Sequence, residues 1–88
     1  MLKIDLSNLK NKNYTVERRI VHNGIQLLFT FPNGYGASVI DHDFSYGLEI
    51  AVLDSDGKII FDTPITDDVI TYNTPESAAK IIEEISKL

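Results

Sequence analysis

The stretch Tyr46–Ile70, YGLEIAVLDSDGKIIFDTPITDDVI, is the most strongly patterned part of the chain, and its reading decides the fold. The larger apolar side chains of Tyr46, Leu48, Ile50 and Val52 fall on alternate residues, the spacing that places them on one face of a strand. Gly47, Glu49, Ala51 and Leu53 take the other face. Asp54-Ser55-Asp56-Gly57 supplies turn chemistry, since Asp and Ser bond nearby backbone amides and Gly accepts positive φ. The chain is then expected to return as a strand over Lys58–Asp62, so that a four-residue loop sets Val52 opposite Ile59 and Ile50 opposite Phe61. Pro64 ends the pairing because it has no amide hydrogen.

Upstream, Tyr14–His22 reads as a strand, Asn23-Gly24 as a two-residue hairpin loop, and Ile25–Phe31 as the return strand. That loop sets Ile20 opposite Leu27, Arg18 opposite Phe29 and Val16 opposite Phe31. A three-residue loop at Pro32-Asn33-Gly34 sets Phe31 opposite Tyr35, Phe29 opposite Ala37 and Leu27 opposite Val39. Each register gathers apolar side chains on one face. The other face carries Val21, Leu28, Ile40, Ala51, Leu53 and Ile60 among polar neighbours. Met1–Leu9 reads as a short edge strand or an irregular arm, and Asp41–Ser45 as a loop with Phe44 turned inward. Thr66–Tyr72 leaves room for one helical turn. Thr74-Pro75-Glu76 is a helix start, with a capping hydroxyl, proline at the first helical position and an acid near the positive end of the helix dipole. Beyond it Ala78, Ile81, Ile82, Ile85 and Leu88 form one apolar stripe, which needs the apolar face of a sheet. The expected fold is α+β, an antiparallel β-meander of about five strands with one C-terminal helix packed on one face.

The 88 residues suffice for one domain with one modest core. Apolar residues make up 43% and charged residues 24%, too apolar for intrinsic disorder. There is no cysteine, which removes disulfides, thiolate catalysis and cysteine-based zinc sites. No apolar run is long enough for a membrane helix and Met1–Asn13 does not resemble a signal peptide, so a cytoplasmic location is expected. The net charge of −5 is uneven: residues 1–19 are basic on balance, whereas Asp41–Asp68 holds eight acids against the single Lys58. Such a field disfavours nucleic acid and favours a basic partner.

Three pieces of sequence carry a resemblance: Gly34-Tyr35-Gly36-Ala37-Ser38-Val39; Leu48–Leu53 followed by Asp56-Gly57; and Asp62-Thr63-Pro64-Ile65-Thr66-Asp67-Asp68-Val69-Ile70. Together they resemble a group of small uncharacterised proteins encoded by bacteriophages and prophages, over roughly residues 34–88. The resemblance implies an accessory role in a bacterial cytoplasm and carries no activity or residue role with it.

Candidate chemistry is sparse. Asp41-His42-Asp43 offers ligand types that metals use, but neighbours on an extended chain point to opposite faces, so a solvated loop is the plainer reading. Asp54-Ser55-Asp56-Gly57 is half a calcium loop without its distant glutamate or flanking helices, and Gly34-Tyr35-Gly36 precedes no helix that could cradle phosphate. No motif surrounds Ser38 or Ser45. No catalytic residue, metal ligand or cofactor is therefore expected. Two surfaces stand out for binding. One is the acidic segment with Asp62, Asp67 and Asp68, where loop residues on a rigid scaffold meet a basic partner. The other is the sheet face away from the helix, with Val21, Leu28 and Ile40, suited to a homodimer or a foreign protein. The leading expectation is a small non-enzymatic accessory protein acting through protein–protein binding. An acidic DNA mimic that inhibits a host nucleic-acid-binding protein, and a small metal-dependent enzyme using His42, are the alternatives from other classes.

Overall fold

Five strands follow one another in a single antiparallel sheet in the computed structural model, which describes residues 4–9, 13–65 and 69–88. They are β1 (Thr15–Val21), β2 (Gly24–Thr30), β3 (Gly36–Asp41), β4 (Leu48–Leu53) and β5 (Ile70–Asn73), and their order in space is their order in the chain. One helix, α1 (Pro75–Ser86), follows and packs on one face, the expected α+β meander.

The first hairpin forms where Asn23-Gly24 places it, but the loop lies one residue earlier. His22 and Asn23 both have positive φ, 46° and 61°, the signature of a type I′ turn, and Gly24 is already in β2. Ile20 consequently faces Ile25, Arg18 faces Leu27 and Val16 faces Phe29. Each partner differs by two residues from the expected register, so every side chain keeps its face. Gly24 serves a close approach instead of the turn. A Cβ there would lie 2.1 Å from the Asp41 carbonyl oxygen and 2.5 Å from His42 Cα.

The second register is as expected: Phe29 faces Ala37 and Leu27 faces Val39, and the Phe31 N–H donates to the Tyr35 carbonyl at 2.9 Å. Within its loop the Asn33 side-chain amide donates to the carbonyls of Ile85 (2.9 Å) and Leu88 (3.1 Å). It thereby satisfies acceptors that the end of a helix leaves without intrahelical partners. Across the next pair, Ala37 faces Val52 and Val39 faces Ile50.

The free edge of β4 is where expectation and structure part. The turn is as read: the Asp54 carboxylate accepts from the N–H groups of Asp56 (2.9 Å) and Lys58 (3.0 Å), and Gly57 has φ 79°. The return segment Lys58–Asp62, however, is not a strand. It makes one bridge, Leu53 with Ile59, closed by bonds from the Ile60 N–H to the Val52 carbonyl (2.9 Å) and from the Asp54 N–H to the Lys58 carbonyl (2.8 Å), and then leaves the sheet. This register differs from the expected one by a single residue, which exchanges faces. Ile60 packs against the core instead of the outer face, while Ile59 and Phe61 are 47% and 51% exposed. The edge is taken by β5, in the stretch read as a helical turn, whose residues 66–68 lie outside the described residues. Leu48 faces Asn73 and Ile50 faces Ile70, with an irregularity between them. The Asn73 amide fills it, donating to the carbonyls of Leu48 (3.1 Å) and Ile70 (3.0 Å). Tyr46, expected at the start of the inward row, precedes β4 and is exposed.

The helix begins as its residues dictate. Thr74 Oγ1 accepts from the Ser77 N–H (3.1 Å) and Ser77 Oγ accepts from the Thr74 N–H (3.0 Å), a reciprocal capping box. Thr74→Ala is expected to cost about 0.5–2 kcal/mol and to lower Tm by several degrees in a thermal melt. An unchanged Tm would place the helix start elsewhere. Ala78, Ile82 and Ile85 are buried and Ile81 and Leu88 half-buried, against β3, β4 and β5. The N-terminal arm is neither strand nor irregular at its end: Ser7–Leu9 forms a short 3₁₀ turn that packs on α1 and buries Leu9 completely. Ser7's N–H donates to the Asp5 carboxylate at 3.0 Å, and this bond, followed by one from the Ser7 side chain, holds the Asp5 carboxyl below its ordinary pKa.

Candidate binding surfaces

The positive-φ turn of the first hairpin and the connection after β3 meet at one end of the sheet, which brings His22 and His42 together. Their rings lie edge-on with centroids 5.1 Å apart, and Phe44 stands edge-on to His22 at 4.8 Å. Phe44 is exposed, not turned inward as expected, because its partners are themselves at the surface. Hydrogen bonds run through this cluster. His42 Nδ1 accepts the Phe44 N–H (3.1 Å), and the Asp43 carboxylate accepts from the Asn23 amide (2.9 Å). The Asp43 N–H donates to the His22 carbonyl (3.1 Å), and the Ser45 hydroxyl accepts the His42 N–H (2.9 Å). Among the described residues no group of three or more His, Cys, Asp or Glu side chains is arranged to hold a metal ion. The arrangement ties two connections together. Beside it an open hollow of about 590 Å³ is lined by Arg18, Ile20, Ile25, Asp41 and neighbouring residues.

On the outer face, Val21, Leu28 and Ile40 are half-buried, and Ala51 and Leu53 are buried. Leu28 faces Ser38 and Ile40 faces Gln26, so the two apolar side chains occupy one diagonal of a quartet. The other diagonal is closed by a hydrogen bond from the Gln26 amide to the Ser38 hydroxyl at 3.1 Å.

The acids are dispersed. Asp41 and Asp43 flank the connection into β4, Asp54 and Asp56 sit in the turn at its other end, and Glu49 lies on β4 between them. Asp62 is exposed, while Asp67 and Asp68 lie outside the described residues. What sequence reasoning missed is the apolar company of Asp62: Ile59 and Phe61, assigned to the core by the one-residue slip, stand at the surface beside it. The unbroken apolar run Ile59-Ile60-Phe61 was the available signal, since it has no period and so fixes no face. Comparison with protein-family models, with curated proteins and with solved structures gives no match to this chain.

Proposed function

We propose that the chain is a small non-enzymatic accessory protein of phage or prophage type that acts in a bacterial cytoplasm by binding another protein. The contact we assign is the segment Ile59–Asp62 and its acidic continuation to Asp68. One observation carries this reading: a segment that leaves the sheet after a single bridge presents Phe61 and Ile59 about half-exposed, next to the exposed Asp62. An aromatic side chain that loses the rest of its exposed surface on binding is the usual anchor of an interface, and flanking charges steer the encounter. With a chain charge of −5, the partner that fits is basic. Among the described residues no helix is long and apolar enough to cross a membrane, in keeping with this setting.

Neutralising Asp67 and Asp68 together to Asn is expected to slow association with the co-purifying basic partner roughly tenfold at low salt, an effect that fades at about 1 M salt. Phe61→Ala is expected to act on dissociation, weakening binding about 30-fold if Phe61 is an anchor. Surface plasmon resonance over a salt series separates the two, with circular dichroism confirming that the fold is kept. Partner binding at unchanged rates by both variants would remove the basis of this reading.

A further inference from the structure

We propose that the free edge of β1 is a self-recognition surface, on which a second copy of this chain pairs antiparallel about a two-fold axis through Arg18. The proposal uses none of the residues assigned above to the partner contact. β1 ends the sheet, and β2 is the one described element it packs against. It is seven residues long, without proline and in unbroken register with β2 from Thr15 to Val21. Edges left open in this way are templates for another strand.

The turn determines which groups face outward. In a type I′ turn the first and fourth residues are hydrogen-bonded, so Val21 and Gly24 form such a pair. Every second residue back from Val21 therefore directs its N–H and C=O toward β2, and Val16, Arg18 and Ile20 direct theirs to the open edge. A two-fold axis between antiparallel strands sets residues of the same face opposite one another, which restricts the possible registers. Centred on Arg18, all seven residues pair: Val16 with Ile20 of the second copy, Glu17 with Arg19, and Thr15 with Val21. Centring on Glu17 or Arg19 sets like charges in the close central pair and leaves strand residues over.

In the Arg18-centred register the outward-facing residues exchange main-chain hydrogen bonds. Glu17 and Arg19 then occupy the non-hydrogen-bonded pairs, where side chains approach most closely. Within one chain these two are already bonded at 2.9 Å, and both are more than half exposed. The pairing turns that ion pair into a ring of four alternating charges. The like pair, Arg18 with its counterpart, falls in the wider hydrogen-bonded position, and Asp41 and Asp43 of its own chain line the same hollow. The register also accounts for two exposed aliphatic side chains. Ile20 is 78% and Val16 46% exposed on the face that α1 covers elsewhere, because α1 packs over β3–β5 and does not extend to β1. Across the axis each covers the other.

Charge exchange tests this register. By sedimentation velocity from roughly 10 µM to 1 mM, the wild-type chain is expected to shift from the 9.9 kDa monomer toward twice that mass. Glu17→Arg and Arg19→Glu, each confirmed folded by circular dichroism, are expected to remain monomeric throughout. Their equimolar mixture is expected to dimerise, since one copy then offers two positive and the other two negative side chains at the paired positions. Ile20→Asn, which leaves the charges in place, provides a second measurement if a charge variant does not fold, with an expected weakening of at least tenfold. A wild-type chain that stays monomeric to 1 mM overturns the proposal, the result expected if Arg18 instead guards the edge against pairing. So does a charge variant or Ile20→Asn that associates as well as wild type, or a mixture that does not associate.

Discussion

Replacing Phe29 by alanine is expected to remove about 3–5 kcal/mol of stability. Phe29 is 1% exposed at the middle of the sheet, with Val16 opposite it on one side and Ala37 on the other. Its ring lies 6.0 Å from that of Tyr14 and stacks on Phe31 at 6.1 Å. Ala37 is too small to fill the space, and Tyr14 and Phe31 are held at the ends of β1 and β2, Phe31 by its N–H bond to the Tyr35 carbonyl, so the site cannot collapse and the cavity persists. A domain of this size has roughly 5–10 kcal/mol in total, and the loss takes a large part of it. Urea unfolding should show a lower midpoint at unchanged slope, with Tm falling by about 15 °C or more. A loss below about 1 kcal/mol would place Phe29 outside the core and overturn the registers of β1, β2 and β3.

A comparable effect, about 2–5 kcal/mol, is expected from Leu9→Ala, in a segment whose sequence does not advertise it. Leu9 is completely buried at the end of the 3₁₀ turn, and Ile4 and Leu6 pack on the same cluster. The turn also rests on α1, so truncating Leu9 loosens the arm and uncovers the helix together. Ile20→Ala, an equally apolar truncation at a 78% exposed position, is the control, with an expected change within about 0.5 kcal/mol in a dilute monomer. Equal effects of the two substitutions in urea unfolding would mean that the arm is not part of the core.

Local chemistry explains what was legible. The first hairpin, the three-residue loop at Pro32–Gly34, the Asp54–Gly57 turn and the capped helix each rest on residues within a few positions of one another, and each stands in the structure. The helix stripe and the inward row Leu48, Ile50 and Val52 follow from period alone. Even the misplaced loop at Asn23-Gly24 did no harm to the faces, because the shift in partners was even.

What escaped were choices between distant segments. Both Lys58–Asp62 and Ile70–Asn73 follow β4 and offer it apolar residues. Ile70–Asn73 takes the edge because it leads directly into the capped helix, and Asn73 bonds both Leu48 and the capping-box residue Ser77. That settlement expels Phe61 from the core and creates the surface next to Asp62, so the acids of the proposed site were visible as composition and their aromatic neighbour was not. The burial of Leu9 and the exposure of Ile20 have the same origin, namely where α1 lies across the sheet. The sequence by itself determined β1 to β4, the faces they present and the capped helix, because period and turn chemistry act over a few residues. Only the tertiary structure decided which strand lies at an edge and which apolar side chains remain in water, because those depend on competition among segments far apart in the chain for one sheet edge and one helix.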